Sequence, residues 1–318
     1  MKPETKRLLG LALALVGAAV LFLGWGVGDN WEFILRFRGQ KLINMLLVAA
    51  AVGVATVVFQ TLTGNRILTP SIIGLDSLYL LLQVGLIFCL GGSGYLDLHP
   101  LGLFFANLAL MLLLAVLLLF GLLPLLNRDM FRLLLVGVIF GVLCANLREF
   151  MGRLLDPAEY SYAQDIAYAQ FDTVRFQGRL LPLAGLLIGL TLGYFWQRRH
   201  VLDILALGRP TAISLGVAYN REITTLLLLV ALLVAVSTAL VGPVLFFGLL
   251  VSALTYRLFP TPYHGQLLPA AALLAALIIV LGQAVFEHLF HFKATLSVVI
   301  EGLGGLMFIY LLLARRKI

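Results

Sequence analysis

Residues able to do chemistry are few in this 318-residue chain. His288 and His291 stand three apart with Glu287 beside them, a spacing that turns two imidazoles to one side of a helix and begins a metal site. No further ligand pattern lies nearby, so interfacial packing is expected there and no metal. The same HLFHFK run is also the one thin candidate for a membrane-embedded enzyme, which would need clustered His, Asp or Glu at span ends. Cys89 and Cys144 both sit in apolar runs and read as small packed hydrophobes. Glu301 is an acid inside an apolar run, and an intramembrane carboxyl is a functional hypothesis by default: it lines a pathway or pairs at an interface. Asp76 follows Gly74 at the start of another run, where helix capping is expected. No G-x-x-x-x-G-K-[ST] phosphate cradle occurs, so energy from a nucleotide has to come from another chain.

The elements that position these residues are membrane spans. With 62% hydrophobic and 12% charged residues, and a mean hydropathy of +1.06, the chain has more apolar surface than a soluble core can bury. At about 20 residues per helical span, its length fits about ten spans with short connections. The expected fold is all-α, a polytopic membrane protein forming one domain over residues 1–318, with no sizeable soluble part. The net charge of +7 then speaks for topology and for anionic lipid, not for nucleic acid.

Hydropathy and turn residues predict spans over 8–27, 41–61, 72–90, 101–123, 133–149, 180–196, 223–240, 244–259, 267–287 and 296–313. The first resembles a signal peptide but lacks an A-x-A-like cleavage site, so it reads as an uncleaved span with the amino terminus inside. Residues 29–40, the Gly-rich 91–100, 151–177 and 288–293 are expected outside, the third of these carrying an interfacial or re-entrant helix. Both termini are expected inside, with most of the 22 Lys and Arg residues on that side. Arg36, Arg38 and Lys41 form an external basic group against this trend and call for a reason.

Between two apolar runs lies a polar island, residues 197–221, QRRHVLDILALGRPTAISLGVAYNR. Gly208 and Gly216 sit where helix C-caps belong and Pro210 suits a first turn, so two short helices over 203–207 and 211–215 are predicted, meeting as a knob. Close approach between spans is encoded elsewhere, by the G-x-x-x-G pairs Gly137/Gly141 and Gly185/Gly189/Gly193.

The island's LDILALGRPTAISLGV is similar, spacing for spacing, to the cytoplasmic coupling segment L-N-L-L-S-L-G-x-x-x-A-x-x-L-G-V in permease subunits of ABC importers for ferric siderophores, haem and cobalamin. Leu202, Leu205, Leu207, Gly208, Ala212, Leu215, Gly216 and Val217 carry the match. NRILTPSIIG, after Gln60, resembles that family's N-P-L-A-x-P-x-x-L-G, with Arg66 in place of a proline. GPVLFFGLLV resembles G-P-I-x-F-x-G-L-x-V, with Ser252 and Ala253 where many members have Pro-His. The terminal SVVIEGLGGLMFIYLLLARR resembles G-V-V-T-A-L-I-G-x-P-F-F-L-Y-L-L, keeping Gly304 and replacing the proline by Leu306. These departures resemble the subgroup for catecholate-type siderophores.

The resemblance implies a permease of the bacterial cytoplasmic (inner) membrane that works by alternating access, makes no covalent chemistry and binds no cofactor of its own. Its implied partners are a second permease, identical or paralogous, two cytoplasmic ATPase subunits carrying ATP and Mg, and a periplasmic or lipoprotein substrate-binding protein. The implied cargo is a ferric siderophore. It further implies ATPase coupling through Asp203, Leu205, Leu207, Gly208, Ala212, Ile213, Leu215 and Gly216, and binding-protein docking through Arg38, Lys41 and Lys293. Snorkelling to lipid phosphate is the rival reading of those cations. Gly137, Gly141, Glu301 and Gly304 are then candidates for a two-fold pathway, or for ordinary packing within the chain. Haem or cobalamin as cargo stays open, as does an ion-coupled secondary transporter, which would carry more intramembrane charge than Glu301.

Overall fold

A computed structural model describes residues 3–25, 31–122, 125, 129–171, 180–289 and 296–314. Among them there are helices and turns and no strand, as expected where each backbone group has to be bonded inside the span itself. The helices are α1 (Pro3–Gly24), α2 (Trp31–Thr63), α3 (Leu75–Leu96), α4 (Pro100–Val116), α5 (Met130–Gly152), α6 (Pro157–Ile166) and α7 (Leu180–Gln197). They continue as α8 (Arg199–Leu205), α9 (Arg209–Ser214), α10 (Tyr219–Val241), α11 (Phe247–Leu258), α12 (His264–Leu289) and α13 (Leu296–Ala314). Eight helices in the described residues are long and apolar enough to cross a membrane, and two shorter apolar ones are Phe247–Leu258 and Val299–Tyr310.

α2, α10 and α12 form the centre. Their apolar windows are 72%, 72% and 56% buried, against 11% for α1 and 28% for α5 and α7, which therefore stand at the periphery. α2 and α12 pack most intimately: a Cβ on Gly53 would lie 2.8 Å from the Ala271 carbonyl oxygen, so only glycine lets the two backbones approach this closely.

Several boundaries differ from the sequence reading, each for a local reason. Residues 31–40, expected as a connection, are the first turns of the 33-residue α2. Nothing between Trp31 and Lys41 breaks a helix, and at 1.5 Å per residue α2 is about 50 Å long, so it projects beyond a core of about 30 Å. The Gly-rich run after Leu90 continues α3 past a break at Gly91 (φ 72°, ψ 167°), where the Glu159 carboxylate accepts from Gly92 N–H at 2.8 Å. α6 occupies the segment expected to hold an interfacial or re-entrant helix and packs on α3.

Two further breaks in the helical course bear on the site. A 3₁₀ turn over Pro70–Ile73 ends at Gly74 (φ 89°), and α10 ends at Gly242 (φ 94°) before Phe246, which holds a left-handed φ of 56°. α11 beyond it has only 12 residues, about 18 Å, and does not cross on its own.

Candidate functional site

The island folds into the expected two-helix knob, shifted towards the N-terminus: α8 begins at Arg199, and α9 at Arg209 with Pro210 in its first turn. Gly208 (φ 92°) and Gly216 (φ 80°) have open space around a would-be Cβ, so it is backbone conformation that requires glycine there. The Val217 amide donates to the Ala212 carbonyl at 3.0 Å and closes α9.

The knob has two faces with different work. Leu202, Leu205 and Ala212 are at most 4% exposed and seat it on the bundle. Leu207, Ile213 and Leu215 are more than half exposed and point away. This corrects the reading in which Leu205 joins Leu207 and Ile213 in an outward contact: Leu205 and Ala212 are anchors. Asp203 is likewise turned inward. Its carboxylate Oδ1 accepts from the His264 backbone N–H at 2.7 Å and lies 2.7 Å from His264 Nδ1, capping α12. His200 Nδ1 stands 3.8 Å from its other oxygen.

Further ties hold the knob's base. Arg198 reaches Glu222 of α10 at 3.6 Å. The Tyr194 hydroxyl, and after it the Glu222 charge, push the Arg198 guanidinium's pKa up. The 64–69 connection lies close by. Gln60 Nε2 donates to the Arg66 carbonyl at 2.7 Å and to Ser252 Oγ at 3.0 Å, while the Arg66 guanidinium stacks 4.6 Å from the centre of the Tyr256 ring. Arg66 and Ser252, two departures from the resembled motifs, thus each have a partner of their own. The start of α1 is at this end too: Arg7 donates to the Leu258 carbonyl at 2.7 Å.

At the opposite end the basic group is largely committed inside the chain. The Lys41 ammonium is paired with the Glu287 carboxylate, side chains 4% and 7% exposed, so its charge is turned into the bundle and not to the surface. Arg38 is partly exposed and donates through one nitrogen to the carbonyls of Phe22, Leu23 and Trp25, closing the C-terminus of α1. Arg36 remains exposed, 3.9 Å from Glu32. Lys293 and His291 lie outside the described residues, as does the side chain of His288.

The glycine candidates serve packing within the chain. A Cβ on Gly137 would lie 3.0 Å from Ile73 Cα and one on Gly141 3.2 Å from Gly74 Cα, so this pair on α5 receives the Pro70–Gly74 turn. A Cβ on Gly304 would lie 2.5 Å from the Cβ of Phe246, placing α13 directly on the break before α11. Gly189 and Gly193 face open space. Glu301 is half-buried, one turn before Gly304. Asp76 is not a cap, a role the backbone of Gly74 fills; buried, it accepts from Thr238 Oγ1 at 2.9 Å and ties α3 to α10.

Sequence reasoning missed Glu287 as the partner of Lys41, and His264 altogether. Both pairings join residues more than 60 positions apart, and the only available signal was the presence of charged or polar side chains at apolar-run ends.

A bundle with eight long apolar helices among the described residues, arranged around a central α2 and carrying a two-helix knob at one end, defines a polytopic helical membrane protein. A solved structure titled as an inward-facing conformation of a metal-chelate type ABC transporter superposes on it with a TM-score of 0.84 over 99% of this chain and 100% of that one, at 23% identity. The chain belongs to the FecCD transport family, whose sequence profile matches residues 19–314. It is 41% identical over 310 residues to the petrobactin import system permease protein YclO of Bacillus subtilis (98% of this chain, 96% of that one). It is 30% identical over 292 residues to the petrobactin permease FatC of Bacillus anthracis (91% and 82%). The vitamin B12 import system permease BtuC of Yersinia enterocolitica is also 30% identical, over 329 residues (97% and 93%).

Proposed function

We propose that this chain is the membrane-spanning subunit of an ATP-driven importer of a ferric siderophore of the petrobactin type. The observation that carries the reading is the knob: a short two-helix element bound to the bundle by Leu202, Leu205, Ala212 and Asp203, presenting Leu207, Ile213 and Leu215 outward. A rigid apolar patch on an otherwise polar segment suits a protein partner better than lipid or water. That partner is a cytoplasmic ATPase, and the knob, the 64–69 connection and the start of α1 then lie on the cytoplasmic side of the bacterial inner membrane. Likeness to the two petrobactin permeases favours that cargo.

The transport unit pairs this chain with a second permease, a paralogue in our reading, and with two ATPases and a binding protein that delivers cargo at the end carrying Arg36 and α6. The exposed apolar residues of α5 (Ile139, Val142, Leu143) and α13 (Leu303, Leu306, Ile309) face the second permease across the pathway, with Glu301 beside it. ATP binding and hydrolysis on the partner move the knob and change the tilt of the spans. ATP and Mg reside on the ATPase and no cofactor on this chain.

The test is uptake of radio-iron-labelled ferric petrobactin by a strain deleted for this gene and complemented with it, beside ferric hydroxamate, haemin and vitamin B12. Restoration of petrobactin uptake alone is expected. Restoration of haemin or B12 uptake instead would replace the cargo, and import by the purified chain without any ATPase would replace the mechanism.

A further inference from the structure

We propose that His264 relays movement of the knob to the α2–α12 pair and so acts as a positioning residue for transport, an inference that rests on the ATP-driven reading above. The imidazole is 2% exposed and three elements converge on it. From α8, the Asp203 carboxylate meets both the backbone N–H and Nδ1 of His264, each at 2.7 Å. A carboxylate of this kind accepts, so Nδ1 carries the proton. From α2, Thr61 Oγ1 lies 2.8 Å from Nε2. His264 itself is the first residue of α12.

The other ties between knob and bundle transmit less. Leu202 and Leu205 are packed but non-directional, and burial alone tolerates sliding. The Arg198–Glu222 pair has an Arg side chain 43% exposed and is weakened by solvent. The ring is buried, bonded to Asp203 on one edge and in 2.8 Å contact on the other with the Thr61 hydroxyl, whose proton is shared with the Val57 carbonyl, so a shift of α8 displaces the N-terminus of α12 and the C-terminal turn of α2 together. Those helices then move as a unit, because their backbones touch at Gly53 and Ala271 and the Lys41–Glu287 pair joins them again about one and a half dozen residues or fewer, roughly 18–24 Å, further on.

The experiment uses the complete transporter, this chain with its partner permease, ATPase and binding protein, in proteoliposomes, and reads ATP hydrolysed per ferric petrobactin imported. His264→Ala and Asp203→Ala are expected to raise that ratio roughly tenfold, the size of an ordinary coupling free energy between sites. Asp203→Asn, whose side-chain oxygen keeps both contacts, is expected to restore it to within about threefold. Thr61→Val, close to isosteric, should raise the ratio without altering assembly, which a purely structural role would not do. An unchanged ratio in His264→Ala with ATPase still co-purifying overturns the relay and leaves the ATP-driven reading standing. If His264→Ala fails to assemble, Thr61→Val decides, and an unchanged ratio there overturns the relay. Import by the wild-type assembly without ATP would overturn the reading underneath.

Discussion

Replacing Lys41 by Met separates two accounts of that residue. With side chains 4% and 7% exposed, the Lys41 and Glu287 charges are shielded from water and face each other across α2 and α12. The substitution leaves the Glu287 carboxylate buried with Gln283 Nε2, at 3.2 Å, as its remaining side-chain donor on α12. Breaking one side of a buried pair costs about 3–5 kcal/mol. At about 2 °C per kcal/mol, the lower end of the range for domains of this size, the unfolding midpoint should fall by roughly 6–10 °C. Removing both charges, Lys41→Met with Glu287→Met, should return it to within about 2 °C of wild type, because an apolar pair avoids the desolvation cost. The assay is thermal unfolding in detergent followed by tryptophan fluorescence, arranged as a double-mutant cycle. An unchanged midpoint for Lys41→Met, together with weaker capture of the binding protein, would refute the buried-pair argument and reinstate docking.

Ile213→Asp on the outward face of the knob should abolish ATPase co-purification with a midpoint within about 2 °C of wild type, whereas Leu205→Asp on the inward face should lower the midpoint by about 6 °C or more through an unsatisfied buried charge. Gly304→Ala brings a Cβ 2.5 Å from that of Phe246 and should cost about 1–3 kcal/mol in the same melts; Gly189→Ala, with open space around it, should cost nothing measurable. Asp76→Leu strips Thr238 of its acceptor and should cost about 1–3 kcal/mol, while Asp76→Asn, which keeps an acceptor oxygen, should cost less; equal losses would show that packing and not the hydrogen bond matters.

Much of this architecture was legible in the sequence, because apolar runs near 20 residues and a Gly–Pro-punctuated island are local signals. Helices cover nearly the predicted spans, and the resembled motifs led to the family that the sequence profile matches. What escaped was pairing at a distance. Nothing in the neighbourhood of Lys41 says that its partner is Glu287, so a cation at the entrance of a span read as a docking group. Helix periodicity likewise could not separate Leu205, the last residue of α8, which faces the bundle, from Leu207 in the turn beyond it, which faces away. The G-x-x-x-G of Gly137 and Gly141 was correctly read as a place of close approach, but its guest is a 3₁₀ turn and not another helix, something a helix-packing motif does not announce.

The enclosure of α2 also bears on how the protein is made. This helix is the second to emerge, yet α10, α11 and α12, which cover much of it, belong to the last third of the chain. Until Glu287 has been translated, the Lys41 ammonium sits at the lipid boundary without its carboxylate. A chain interrupted before α12 therefore lacks the carboxylate that neutralises this cation in the finished bundle.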